Sequence, residues 1–336
     1  MKILITGVTG FIGSYLAELL LKNGDEIHGI ARWRSNRENL KKVISDIELH
    51  DADLLDQGSL IRVLSSVKPD QIYHLAAASY VLTSFNSPVN SMLVNAIGTM
   101  NLLEAMRTLK MYDTKFVGIT SSEVYGDVDT KHIPITEECP LNPASPYGLS
   151  KVAQDLTILQ YYINYGLQTV RIRNFTTTGP RRGDVFFLSS FTKQAAAIRL
   201  GIKKENEIKV GNLNSVRTVC DVRDMVLAYS KVMKNGKPGE AYNIAGKVTM
   251  TIGEYLQLLL DLHFPKNKKP AIVVSKDLLR KTDITLQIPD VSKFEKEINF
   301  GTWEPNVPIE ETLRDMVSYW EMELIKNSWK EYTLEY

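Results

Sequence analysis

Six apolar runs punctuate the first 175 residues of the chain. KILIT (2–6), EIHGIA (26–31), IELHDAD (47–53), KPDQIYHLAAA (68–78), KFVGITS (115–121) and QTVRIRNF (168–175) are each short and largely continuous. Runs of this kind mark strands buried on both faces. Between them lie stretches with helical spacing. These are SYLAELLLKNG, closed by Gly24, a helix after the third run, and two long amphipathic segments over residues 88–111 and 144–165. Strands alternating with helices predict an α/β fold, a Rossmann-like doubly wound parallel sheet.

After about residue 175 the rhythm changes. FTKQAAAIRLG reads as a helix, EIKVGN and SVRTVC as strands, DVRDMVLAYSKVMK as a helix, AYNIAG as a strand and TIGEYLQLLLDLHF as a helix. A last helix is expected over residues 308–320. The elements are shorter and mixed, so residues 1–175 are assigned to a dinucleotide-binding domain. Residues 176–325 are assigned mainly to a smaller mixed α/β substrate lobe, interleaved with the end of the sheet. Residues 326–336 form a polar tail, expected to be loosely held. A length of 336 residues suits one large domain with a smaller lobe. The segments 88–111 and 144–165 carry more apolar surface than one sheet face can cover. Ile158, Leu159, Tyr161 and Tyr162 are neighbours and cannot all face one side. The expected assembly is a homodimer or homotetramer in which these helices pair with their copies.

Composition narrows the partners. Forty Lys and Arg against 39 Asp and Glu give a formal net charge of +1. That balance does not point to nucleic acid or to an anionic membrane, and it leaves room for an anionic small molecule. There is no cleavable signal and no apolar run long enough to span a bilayer, so a cytoplasmic protein is expected. Cys139 and Cys220 lie far apart and suggest neither a disulfide framework nor a zinc site. The five histidines show no ligand spacing, and no metal is expected.

Candidate chemistry begins at Gly7, Gly10 and Gly13, a GxxGxxG between the first strand and the first helix. Glycines there permit a tight turn and a close approach of backbone N–H groups to a pyrophosphate. Thr9, Phe11 and Ile12 fall inside the same loop. An acid at the end of the second strand would hold the ribose 2′-hydroxyl of NAD. That strand ends Ile30, Ala31, Arg32 instead, and Arg32, Arg34 and Ser35 suit a 2′-phosphate. NADP is therefore expected over NAD, with a solvated basic loop as the plain alternative. Asp53 ends the third strand, where it could accept from an adenine amine.

Tyr147 and Lys151 stand four residues apart in SPYGLSK, on one face of a helix. An ammonium and a nicotinamide charge near the phenol are expected to lower its pKa, so that Tyr147 acts as a base. A second chemical cluster, Ser121, Ser122 and Glu123 of SSEVYG, ends the fifth strand. A carboxylate is costly there unless it is used. A structural ion pair to a loop lysine would also account for it.

The glycine loop, the YxxxK pair and the strand-end serines together resemble the extended short-chain dehydrogenases/reductases. SYLAELL, KPDQIYHLAA, GTMNLLEAMR, SSEVYG, NPASPYGLSKVAQD, TGPRRGDVF and the terminal WEPNVPIEETLRDMVSYW resemble more closely the GDP-mannose 4,6-dehydratase family and its GDP-4-keto-6-deoxymannose reductase relatives. The resemblance implies a GDP-sugar substrate. It puts Leu54, Leu75, Ala76, Ala77 and Thr120, with Tyr147 and Lys151, beside the cofactor. Ser79, Ser121, Glu123, Asn174, Thr176, Lys193, Arg217 and Arg280 fall on the substrate. Arg181 and Arg182 match a PRRG loop that reaches toward a neighbouring subunit's cofactor, and Arg182 is assigned to the cofactor. It further implies that Ser121 and Tyr147 work on the sugar 4-hydroxyl, and that Glu123 takes the carbon 5 proton while Ser122 helps water leave carbon 6. The chain departs from the family at FTTTGP, where Thr176 and Thr177 stand in place of asparagine and histidine. The substrate wall has changed, which makes a GDP-heptose an alternative to a GDP-hexose. A reductase, 4-dehydrogenase or epimerase without dehydration is the competing reading, and a non-catalytic cofactor-binding regulator is a third.

Overall fold

The computed structural model describes residues 1–279 and 284–333. In chain order the strands are β1 Lys2–Thr6, β2 Glu26–Ala31, β3 Ile47–Asp51, β4 Gln71–His74, β5 Lys115–Ile119, β6 Thr169–Asn174, β7 Thr176–Thr178, β8 Glu207–Val210, β9 Val216–Asp221, β10 Ala241–Ile244, β11 Val248–Thr251, β12 Ala271–Val274 and β13 Leu286–Gln287. Seven of them make one parallel sheet in the order β10-β6-β5-β4-β1-β2-β3. The continuous apolar runs are explained by burial on both faces. Ile3, Ile5, Ile27, Val117 and Ile172 pack on one face against Leu16, Leu20, Met225 and Tyr229. Leu4, Ile72 and Phe116 pack on the other against Leu60, Leu64, Leu102, Leu103 and Ile158. The chain order reverses between β1 and β4, which opens a crevice at the carboxyl ends of the strands.

The lobe is built on a second sheet. β9 pairs with β11, β13 and β7, while β8 and β12 form a separate two-stranded ribbon. Its core joins Leu188, Phe191 and Val219 to Tyr255, Leu259, Leu313 and Met316. β10 does not belong to the lobe, because it returns to extend the main sheet beside β6.

The structure differs from the sequence pattern in three respects. β7, β11, β12 and β13 are only two to four residues long, too short to show a period. The last helix runs Ile309–Thr333, well beyond residue 320. Its second half keeps helix-forming Glu, Met, Leu and Lys without Gly or Pro, although the apolar periodicity has faded. Part of the presumed loose tail is therefore helical, and Lys326 pairs with Glu38. The long helix expected over 88–111 has three consecutive pieces, Pro88–Met92, a π-helical turn Leu93–Ile97, and Gly98–Thr108. Along it Val89, Leu93, Ile97 and Met100 are exposed. Leu149, Leu156 and Ile163 are exposed along the helix Pro146–Tyr165. Of the four crowded neighbours named above, Ile158 and Tyr161 face the core and Tyr162 faces out.

Candidate active site

A single groove of about 640 Å³ runs over the carboxyl ends of the main strands and is walled on one side by the lobe. At one end the chain turns from β1 into the helix Phe11–Lys22. Gly7 has φ +73°, and a Cβ there would meet the Ala76 backbone nitrogen at 2.8 Å. A Cβ on Gly13 would stand 2.3 Å from the Gly7 carbonyl. Only glycine fits either place, so backbone lines this end and the open N-terminus of the helix faces it. Gly7, Thr9, Gly10, Phe11, Ile12 and Gly13 all line the groove, as do Leu54, Leu75, Ala76, Ala77 and Thr120. This is a cradle shaped for a dinucleotide pyrophosphate.

Arg32 and Ser35 reach the same groove from the end of β2. Arg34 does not line it. It borders an adjoining cavity together with Arg32, Ser35 and Asp53, and its guanidinium lies 4.6 Å over the exposed Trp33 ring. The fold adds Arg62 to that cavity from the helix Gln57–Val67. Asp53 lines the groove, and its Oδ1 already accepts from the Leu55 N–H at 2.9 Å.

Ser121, Ser122, Glu123, Tyr147 and Lys151 converge at the centre. The helix carrying Tyr147 starts at a Ser145 cap, whose Oγ accepts from the Gly148 N–H at 3.0 Å, with Pro146 in its first turn. The Tyr147 N–H donates to Ser84 Oγ at 3.1 Å. The expected depression of the Tyr147 pKa is not what the protein alone produces. Burial raises it to about 12, the Ser121 hydroxyl pulls it partly back, the Glu123 carboxylate raises it, and Arg182 lowers it. Lys151 instead turns its Nζ to the Ile119 carbonyl at 3.1 Å and to Gln154 Oε1 at 2.7 Å. Burial draws its own pKa down to about 7. The correction has a simple cause: in a dry site desolvation outweighs one ammonium directed elsewhere.

The sequence reading missed what holds this centre. Asp155, one turn beyond Lys151, is fully buried and bonds Arg171 Nη1 at 2.9 Å and Arg173 Nε and Nη2 at 3.1 Å. It also accepts from Thr120 Oγ at 3.2 Å. Burial alone would raise the Asp155 pKa, but the Arg173 hydrogen bonds and the two guanidinium charges hold it below the usual range. The catalytic helix is thereby fastened to β6. Gln154 Nε2 continues from Lys151 to Thr99, and Thr99 Oγ meets His74 Nε2 at 2.7 Å. His74 is kept neutral, its pKa pushed down to about 3 by burial and by the Lys151 charge. Asn95, in the π-helical turn, accepts from the Ala78 N–H at 2.7 Å and donates to Ser150 Oγ at 2.9 Å. It joins the loop after β4 to the catalytic helix.

The far wall is shared between the main domain and the lobe. Ser79, Asn174, Thr176 and Arg217 line it as expected positions. Asn174 Oδ1 accepts from the Tyr229 hydroxyl at 2.8 Å. Arg217 is buried and directs donors to the Val216 and Ile284 carbonyls. Gln287 joins it unannounced, a buried amide in the wall whose Nε2 has no hydrogen-bond partner among the described residues. Lys193 does not line the groove. It pairs with Asp184 at 2.6 Å and lies over Trp320. Arg280 lies outside the described residues. Arg181 and Arg182 both make contacts within the chain. Arg181, with φ +72°, pairs with Glu18 at 2.7 Å and covers the Tyr15 ring. Arg182 lines the groove over Phe186 and Phe11, and burial lowers its pKa to about 10.

This geometry can be set beside known proteins. The family model described as GDP-mannose 4,6 dehydratase matches residues 4–316. The chain belongs to that family. It is 32% identical over 351 residues to the GDP-mannose 4,6-dehydratase of Vibrio cholerae serotype O1, covering 94% of this chain and 92% of that one. It is likewise 32% identical to the GDP-mannose 4,6 dehydratase of Homo sapiens, covering 94% and 90%. Among solved structures, DesIV, a dTDP-glucose 4,6-dehydratase from Streptomyces venezuelae with NAD and TYD bound, superposes with a TM-score of 0.84 at 28% identity, over 96% of this chain and 97% of that one. RMD from Pseudomonas aeruginosa complexed with NADPH gives 0.80 at 28% identity, over 96% and 99%. Within the GDP-mannose 4,6 dehydratase family, this chain keeps its Ser-Ser-Glu and Tyr-Lys groups together in one groove. Asp155 could have been anticipated as the next member of a four-residue series after Tyr147 and Lys151. Nothing in the sequence marks Gln287 or Arg62 as neighbours of the groove.

Proposed function

We propose that the chain is a nucleotide-sugar 4,6-dehydratase acting on GDP-mannose or a related GDP-hexose or GDP-heptose, with NADP as its resident cofactor. The observation that carries this is Glu123, a carboxylate in the groove close enough to Tyr147 to raise the phenol's pKa. The glycine cradle fits a dinucleotide, and Arg32, Ser35 and Arg62 suit a 2′-phosphate. When bound, NADP⁺ supplies a site that takes hydride from sugar carbon 4 and returns it to carbon 6, and a positive charge that favours ionised Tyr147. Tyr147 removes the 4-hydroxyl proton, and the Ser121 hydroxyl beside it orients that oxygen. Glu123 takes the carbon 5 proton, made acidic by the neighbouring ketone. Ser122 stands next to it to assist loss of water from carbon 6. Arg217 and the Gln287 amide, both lining the groove, suit the nucleotide diphosphate and the sugar. The exposed rows on the helices Pro88–Met92, Gly98–Thr108 and Pro146–Tyr165 support a homodimer built on them.

Glu123→Gln tests the class. It keeps the shape and removes the base, which typically costs about 10²–10⁴ in rate. The variant is expected to oxidise substrate and accumulate reduced cofactor, seen by its absorbance, while 6-deoxy product nearly vanishes. Wild type should exchange the carbon 5 hydrogen with deuterated solvent and the variant should not. Product formed by Glu123→Gln at the wild-type rate would return the chain to the reductase, dehydrogenase or epimerase reading.

A further inference from the structure

Outside the groove, one cluster has no part in the reaction above. It lies on β2 and the edge strand β3, which run parallel with His28 opposite Glu48 and Ile30 opposite His50. The two-residue period of a strand puts His28, Glu48 and His50 on one face. Their donor atoms meet at one point. His28 Nδ1 stands 3.0 Å from His50 Nε2 and 3.5 Å from Glu48 Oε2, and His50 Nε2 stands 3.7 Å from Glu48 Oε1.

We propose that His28, His50 and Glu48 form a binding site for one divalent transition-metal ion, zinc in the first instance. Three donors of a tetrahedral ion with bonds of about 2.0–2.2 Å lie about 3.3–3.6 Å apart, close to the separations found here. Two neutral imidazoles and a carboxylate make a donor set that suits zinc, with a fourth position open to solvent. A hydrogen bond between the two rings accounts for their contact, but not for a carboxylate brought to the same two nitrogens. Among the described residues, Glu48 has ion-pair contacts only with these histidines.

A second observation points the same way. Glu26 Oε1 lies 2.9 Å from His28 Nε2 on the other side of the ring. A carboxylate there accepts, so the ring proton sits on Nε2 and the Nδ1 lone pair faces His50 and Glu48. Metal-bound histidines are usually oriented by a carboxylate in this way. The His28 side chain is 4% exposed and His50 15%, whereas Glu48 is 67% exposed, so the rings form the floor and the carboxylate the rim. The spacing along the chain hid the site because its ligands come from two strands. The E-x-H of β3 was its only local sign.

The consequence is a clasp between β2 and the edge of the main sheet, separate from the chemistry of the groove. The test uses the full chain without a histidine tag, stripped by chelator and titrated with Zn²⁺ alone in competition with a chromophoric chelator. One Zn²⁺ per chain is expected, with a rise in Tm. His50→Ala should lose both, and Glu26→Gln should keep the stoichiometry but bind about 10–100-fold more weakly. Catalytic turnover should be the same in His50→Ala and wild type, so the result does not depend on the dehydratase reading. If His50→Ala fails to fold, Glu48→Gln decides, since that side chain is mostly exposed. Absence of stoichiometric binding in wild type, or unchanged affinity in a folded His50→Ala or in Glu48→Gln, would overturn the proposal.

Discussion

The two ends of the groove are made in opposite ways. The end at β1 and β2 centres on two short local segments, the glycine loop and the turn after β2, and much of its surface is backbone. The far wall gathers Asn174 and Thr176 with Arg217 and Gln287 from well down the chain, and it presents side chains. A backbone cradle tolerates drift in sequence as long as its glycines remain. A side-chain wall can be rewritten one residue at a time. One fold can therefore keep its cofactor chemistry while its substrate changes.

Tyr147 sits where the two ends meet, and its loss should show the largest effect. Tyr147→Phe is expected to lower kcat by about 10²–10⁴ while NADP still binds, which pre-steady-state assay and cofactor titration would separate. A parallel loss of cofactor affinity would mean that the phenol belongs to the cradle as well. At the far wall, Arg217→Met removes hydrogen bonds to a charged ligand worth roughly 1.5–3 kcal/mol. The KM for GDP-sugar should rise about 10–100-fold with NADP affinity unchanged; coupled losses would break the division between the ends.

Lys151 gives a stability test between them. Its folded pKa of about 7 lies below the unfolded value of about 10.4, so the unfolded chain holds the extra proton between those limits. This residue's cost is full below pH 7 and fades as pH rises toward 10. Lys151→Met should raise the urea midpoint at pH 7, reflecting a gain in unfolding free energy on the order of 4 kcal/mol, and wild type should approach it by pH 9–10. A lower midpoint for the variant at pH 7 would show that the bonds to Gln154 and Ile119 outweigh desolvation. The smallest effect belongs to the exposed Arg62. Arg62→Ala should weaken NADP by no more than about fivefold, consistent with an exposed charge pair, and leave NAD untouched. Equal losses for both cofactors would remove Arg62 from the 2′-phosphate.

The same division explains what the sequence made legible. The glycine loop, YxxxK and SSEVYG announce themselves because each is a contiguous segment whose geometry follows from one turn or one helical period. The parallel sheet followed from its buried runs. Arg62 and Gln287 could not be found that way, because tertiary packing alone carries them to the groove. Lys193 failed for the reverse reason: Asp184 and Trp320 hold it elsewhere. The burial that raises the Tyr147 pKa could not be read either, because sequence shows which charges are near but not how deeply they are buried. β7, β11, β12 and β13 escaped notice because a two- to four-residue strand has no period to read.

β10 carries a consequence for how the chain is made. The strand that closes the main sheet beside β6 is residues 241–244, so a ribosome releases it only after the first stretch of the lobe. Until then the edge of β6, the strand whose arginines grip Asp155, stands unpaired and open to the wrong partner. A nascent chain halted near residue 175 would hold every residue of the glycine loop and the Tyr-Lys pair, yet not a finished support beneath them. The nucleotide-binding half cannot mature first and wait for its neighbour, as beads on a string do. Its completion is tied to the arrival of a segment that lies beyond the start of the lobe.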